Sequence, residues 1–230
     1  MTNKVPASLE TAIRADLRPV RRLPPPSQRA LWLAPLALIT LVAASRVFSL
    51  RQDAPVLGWM MTWGASLLQT VVALALIALA LRHAIPGRSL QRSAVWITVG
   101  AVTGLLALVT LRTWSISPTT LGTLSPLFIG EICFTGTVVA ALPLLMASAV
   151  LAGRAFSVRP WSSGALYGLG AGLGADAGWR LFCHFSDPAH VFPTHTGAVL
   201  VVAGLGMLIS GVTGRRSRRS RRRASSTSIG

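Results

Sequence analysis

The sequence predicts an all-α integral membrane protein: six transmembrane helices in one bundle, with both termini cytoplasmic. Three observations lead there. Hydrophobic residues make up 52% of the 230 positions and charged residues only 12%, with a mean hydropathy of +0.59, whereas an ordinary soluble domain is about 25% charged. Apolar stretches long enough to cross a hydrocarbon core, roughly 20 residues of helix for about 30 Å, recur six times between polar breaks. Lysine and arginine, which stay preferentially on the cytoplasmic side of short loops, are sorted to alternate sides of those stretches.

In chain order the spans run from Ala30 to Leu50, Gly58 to Leu81, Ala94 to Leu111, Leu127 to Leu151, Gly164 to Phe182 and His190 to Val212. Apolar residues occur all round them, the pattern of spans rather than of surface helices. Six basic residues precede the first span, Arg82, Arg88 and Arg92 fill the second loop, Arg154 and Arg159 the fourth, and seven arginines the tail from Arg215 to Arg223. The other side keeps Arg46, Arg51, Arg112 and Arg180. Three segments follow: a cytoplasmic N-terminal segment 1–29, the bundle 30–212, and a basic disordered tail 213–230 that touches lipid headgroups or anchors topology. The polar lead-in makes the first apolar run a retained anchor. The net charge of +16 sits where membrane topology puts it, so direct nucleic-acid binding is not expected.

Within the fifth span, Gly164, Gly168 and Gly172 form one small-residue ridge and Gly170, Gly174 and Gly178 another, which lets neighbouring helices pack closely. Asp176 and Arg180 stand one helical turn apart, so they face the bundle interior as an ion pair rather than lipid. Asp187 and Pro188 read as the N-cap and first residue of the sixth span, with a bend near Pro193. Pro143 is a candidate kink in the fourth.

The topology puts Cys133 and Cys183 near the same, periplasmic face, where a disulfide can persist. Sequence does not say whether they approach within the roughly 7 Å between Cα atoms that bridging needs. Around them lie Glu131, His184, His190 and His195, which with the two cysteines supply ligands of the types that hold zinc, copper or cadmium. Of these, Cys133, Cys183, His184, His190 and Glu131 form the candidate metal set. Without a CxxC, HExxH or tight Cys/His spacing, interfacial histidines with no metal are the alternative, no permanent cofactor is expected, and zinc or heavy-metal binding at this rim would be transient.

At the other end, Leu9, Ile13 and Leu17 recur every four residues and give a short helix one apolar face, ended by Pro19 and tethered by the stiff "LPPP" at Leu23 to Pro26. Such a helix docks in a protein groove or lies on the bilayer.

Three stretches, "DLRPVRRLPPPSQRALWL" before the first span, "GEICFTGTVVAALPLLMA" in the fourth and "RLFCHFSDPAHVFPTH" between the fifth and sixth, together resemble the NrsF-like family of six-span bacterial inner-membrane anti-sigma factors. The resemblance implies a regulator that holds an extracytoplasmic-function sigma factor at the inner membrane through its N-terminal segment. It releases that factor when a periplasmic cysteine pair meets heavy metal or oxidant. Asp16, Leu17, Pro19 and Val20 match the family's N-terminal element, joining Leu9 and Ile13 as the expected sigma-binding face, and Cys133 and Cys183 match its sensing pair. Where the family often has a proline and acidic residues after the second cysteine, His184 and Phe185 stand here. The partners implied are the sigma factor and membrane lipid.

Enzymatic readings find little support, since there is no P-loop, no nucleophile elbow and no CxxC relay. A small ion or metabolite transporter using Asp176, Arg180 and Glu131 is the rival reading, because intramembrane charges are functional candidates.

Overall fold

The computed structural model describes residues 7–16, 23–118, 126–155, 157 and 159–227, and among them every regular element is helical. A short α1 (Ala7–Asp16) precedes α2 (Pro26–Leu31) and α3 (Ala34–Phe48). Next come α4 (Ala54–Trp59), a π-helical turn (Met60–Gly64), α5 (Ala65–His83), α6 (Arg92–Ile116) and α7 (Pro126–Gly153). The chain ends with α8 (Pro160–Phe182), α9 (Pro188–Val191), a second π-helical turn (Phe192–Thr196) and α10 (Gly197–Thr227).

Prolines explain many of the starts. They occupy the first helical turn of α2, α3, α4, α8 and α9, where a missing N–H costs nothing because that donor would have no intrahelical partner. Asp187 caps α9 as expected, its carboxylate accepting from the Ala189 amide at 2.9 Å. Gly58, at φ 70, separates α4's first turn from the long run into α5, a left-handed conformation that only glycine adopts without strain. Pro143 lies inside α7, which continues through it. Helix α10 runs on to Thr227, beyond the Val212 at which the sixth span was expected to end. Arginine is a good helix former, and extending an existing helix avoids the nucleation cost.

Five helical runs are long and apolar enough to cross a membrane: Pro26–Phe48, Ala54–His83, Arg92–Ile116, Gly130–Gly153 and Pro188–Arg215. The expected fifth span, α8, is not among them. Its six glycines, two serines and the Asp176–Arg180 pair dilute its apolar content, and its position explains why that is tolerated. Helix α8 packs against α3, α5, α7 and α10, and every residue from Leu166 to Trp179 is buried. A helix wrapped by other helices needs small residues for close approach more than greasy ones for lipid.

Both glycine ridges do this packing. A Cβ on Gly164 would sit 2.3 Å from the Gly206 carbonyl oxygen, and one on Gly168 2.6 Å from that of Val202, so the first ridge lies directly on the α10 backbone. On the second ridge a Cβ at Gly170 would meet the Ala73 carbonyl of α5 at 2.8 Å, and one at Gly178 the Thr40 carbonyl of α3 at 2.4 Å. Side-chain hydrogen bonds fasten the same contacts: Tyr167 donates to the Gly206 carbonyl at 3.0 Å and Ser163 to that of Ala80 at 3.1 Å.

The bundle has two chemically distinct ends. At one, the Arg215 guanidinium lies 5.1 Å over the Trp161 ring, His83 meets Ser162 at 2.7 Å, and buried Arg29 of α2 donates to the Leu151 carbonyl near the end of α7. A cavity of about 640 Å³ opens there among His83, Arg92, Trp96, Arg159 and Arg215. At the other end Phe48, Trp179 and Phe182 stack with ring centroids 5.0 to 5.7 Å apart, beside both cysteines. Residues 160 and 182 of α8 stand about 33 Å apart at 1.5 Å per residue.

The α8–α10 crossing gives a matched test. Gly206→Ala would place its Cβ 2.4 Å from the Gly164 carbonyl oxygen, backbone against backbone, whereas Gly204→Ala meets nothing within 4 Å. Gly206→Ala should cost about 1–3 kcal/mol of overpacking, read as a lowered Tm of the solubilised protein, whereas Gly204→Ala should keep the Tm or raise it slightly through the gain in helix propensity.

Candidate sensing and metal centre

Helix register brings the two cysteines together. Gly136 of α7 lies under the Trp179 indole so closely that a Cβ would overlap the ring, 2.0 Å from its nearest carbon. Cys133 is three residues before Gly136 and Cys183 four after Trp179, so each sulfur lies about one turn from that contact. Their Sγ atoms are 3.7 Å apart. Both thiols are free and both residues are buried, at 2% and 4% exposure.

Two histidines complete the cluster. The Cys183 Sγ is 3.5 Å from His190 Nε2, and one ligand atom from each of Cys133, Cys183, His190 and His195 lies within 4.8 Å of all the others. His190 and His195 are five residues apart, which would put them about 140° apart on a regular α-helix. The π-helical turn at Phe192–Thr196, with its wider i→i+5 bonding, brings the rings onto one side, their centroids 5.7 Å apart. Phe185 closes over the cluster, packed on His190 at 5.7 Å.

Behind His195 lies a buried polar network centred on Asp176, which has no exposed surface. One carboxylate oxygen pairs with His195 Nδ1 at 2.8 Å. The other accepts from Arg180 Nε at 2.9 Å and from Gln69 Nε2 at 2.6 Å, and Arg180 also donates to the Thr110 hydroxyl at 3.0 Å. The pairing leaves His195 Nε2 as the ring nitrogen available to the cysteine cluster, buried and without a hydrogen bond of ordinary geometry.

A strap holds the C-terminal end of α8. Arg51 grips Asp53 with two bonds of 2.5 and 2.8 Å, its amide donates to the Leu181 carbonyl at 2.8 Å, and its guanidinium reaches the Arg180 carbonyl at 3.3 Å. A cation on the last carbonyls of a helix is favourable because they carry the negative end of the helix dipole. Burial pushes the Asp53 carboxyl up, but Arg51, together with hydrogen bonds from Ser117 and the local backbone, offsets this and holds it below its usual range.

The structure distributes the sequence-based candidates unevenly. Cys133, Cys183 and His190 converge, and the Asp176–Arg180 pair forms as expected. Glu131 is exposed, since residues two apart on a helix do not face each other. His184 stacks on Phe185 at 4.2 Å and is not part of the cluster, whose fourth member is His195. Leu9 is 52% exposed on α1; Ile13 and Asp16 belong to the same helix, with side chains outside the described set, and Leu17, Pro19 and Val20 lie outside the described residues. Sequence reasoning missed Gln69, Thr110, Arg51 and the burial of Arg29. A lone glutamine in an apolar span was the available signal, but it names no partner.

Removing the carboxylate of Asp176 orphans three donors at once. Asp176→Ala should therefore destabilise the solubilised protein by about 3–5 kcal/mol, the range for breaking a buried ion pair, and by more than Gln69→Leu, which removes a single neutral donor. Thermal unfolding of the three proteins checks the order.

No curated protein and no solved structure matches the chain at a significant level. The family model described as "NrsF: Negative regulator of sigma F" matches residues 14–215, which takes in every helix from α2 to α9, both cysteines and all four members of the buried cluster. With nearly the whole length covered, the chain belongs to the NrsF family of negative regulators of sigma F.

Proposed function

We propose that this protein is an inner-membrane anti-sigma factor whose N-terminal segment holds an extracytoplasmic-function sigma factor, and whose Cys133–Cys183 pair, facing the periplasm, releases it on meeting metal or oxidant. The observation that carries this reading is the 3.7 Å contact of two free thiols at the end opposite the arginine-rich one. Both termini then lie in the cytoplasm, α8 serves as the sixth span, and the apolar face of α1, with Leu9 exposed on it, is the hook.

The two ends are joined by a stiff element. Helix α7 carries Cys133 near one end and, about 27 Å away at 1.5 Å per residue, Leu151, whose carbonyl accepts from buried Arg29 at the root of the N-terminal segment. A change in how Cys133 is held shifts α7 against α8, and Arg29 passes that shift to the hook. Coupling of this kind needs two discrete packings that both ends bias. The transporter reading loses its main support, because Asp176 and Arg180 satisfy each other together with Gln69, His195 and Thr110.

Two reporter experiments test this. Cys133→Ser with Cys183→Ser should abolish induction of the partner sigma factor's promoter by cadmium or chromate while repression persists; full induction in the double variant would remove the sensing role. Deletion of residues 1–22, with membrane insertion verified, should give constitutive expression. Retained repression would move sigma binding to the cytoplasmic loops, where the arginine-lined cavity is the first place to look.

A further inference from the structure

We propose that Cys133, Cys183, His190 and His195 form a closed, four-ligand site for one divalent cation of the zinc and cadmium class, with Asp176 as the positioning residue for His195. This deepens the cysteine-pair reading by naming what the pair holds, and it rests on that reading only for where the signal goes.

Geometry is the first support. In a tetrahedral site with zinc–sulfur bonds of about 2.3 Å, two sulfurs stand about 3.8 Å apart, and a sulfur and an imidazole nitrogen bonded at about 2.05 Å stand about 3.6 Å apart. The chain holds its sulfurs at 3.7 Å and the Cys183 sulfur 3.5 Å from His190 Nε2. A disulfide would need the sulfurs to close to about 2.05 Å and would leave His195 Nε2 buried beside it with no ligand to meet.

Charge is the second. Binding expels the two thiol protons to solvent, and two thiolates then neutralise the dication, so the loaded site carries no net charge into a buried place. No redox change is involved. Softness decides the ion: two sulfurs and two imidazoles suit zinc or cadmium and disfavour magnesium or calcium, which take oxygen ligands.

The third support is the arrangement behind the ligands. A metal-binding histidine ordinarily gives its other ring N–H to a carboxylate, which fixes the tautomer and aims the free nitrogen. His195 does so through Nδ1 to Asp176 at 2.8 Å, and its Nε2, the nitrogen left over, is buried without a hydrogen bond of ordinary geometry. A crevice of about 10 Å³ opens beside Cys183 and His195 between Thr113 and Ser186, room for a water or a single ion and too small for an organic ligand.

Cobalt(II) is the probe. Reduced, full-length protein in detergent, titrated with Co2+, should bind one equivalent, with thiolate-to-cobalt charge transfer in the near ultraviolet and the intense visible bands of four-coordinate cobalt. One equivalent of Zn2+ or Cd2+ should bleach both. Cys133→Ser, His190→Ala and His195→Ala should each lose the four-coordinate spectrum, and His184→Ala should keep it. Asp176→Asn should keep the bands with affinity weakened about 10–100-fold. Circular dichroism and gel filtration identify any variant that has unfolded, and His190→Ala, which leaves the Asp176 network intact, stands in if His195→Ala does so. The proposal is overturned if fully reduced wild-type protein gives no such bands, or if they survive in the His190→Ala/His195→Ala protein. Because the spectrum needs no sigma factor, the two readings fail separately. Cobalt bound as described together with normal induction in the double-serine strain sinks the sensing role alone, and no cobalt bound together with lost induction sinks the metal site alone.

Discussion

A carboxylate with no exposed surface fixes how this bundle is assembled. An unpaired charge in so apolar a place costs many kcal/mol, so Asp176 is tolerable only while its donors surround it. Those donors arrive from α5 through Gln69, from α8 itself through Arg180 and from the turn before α10 through His195, and Arg180 reaches on to Thr110 of α6. Four helical segments thus have to sit in one register. The glycine ridges of α8 allow that register, because only without Cβ atoms can α3, α5 and α10 come near enough for short side chains to meet.

The same carboxylate joins structure to chemistry. Asp176 orients His195, and His195 stands among the two cysteines and His190. Whatever changes at the sulfurs therefore changes the partners of a group that cannot easily go without them. The rim chemistry therefore abuts the packing of the helical core, and α7, which carries Cys133, ends near Leu151, whose carbonyl accepts from Arg29.

Much of this was legible in the sequence, and the parts that were not share a cause. Five of the six expected span positions follow from apolar runs of about 20 residues, and the Asp187 cap, the glycine ridges and the Asp176–Arg180 pair from spacings of a few residues along one helix. The donor set did not, because it depends on contacts between helices and on a local departure from α-geometry. Glu131 looks close to Cys133 in sequence but points elsewhere on the helix. His195 looks distant from His190 by α-helical spacing, and the π-helical turn cancels the difference. Gln69 and Thr110 could be recognised as polar residues in apolar spans, but nothing in their neighbours says that both lead to Asp176. Arg29 reads as one of many topology-setting arginines, and only its burial against Leu151 sets it apart.

The centrality of α8 bears on how the protein is made. A segment of glycine, serine and an internal ion pair, not apolar enough to qualify as a span, is a weak signal for lateral release into lipid when it emerges during synthesis. Its flanking neighbours in the chain, α7 and α10, are strongly apolar and lie against it in the finished bundle. The apolar surroundings of α8 thus come from those neighbours rather than from its own composition, which ties its placement to the packing of the bundle.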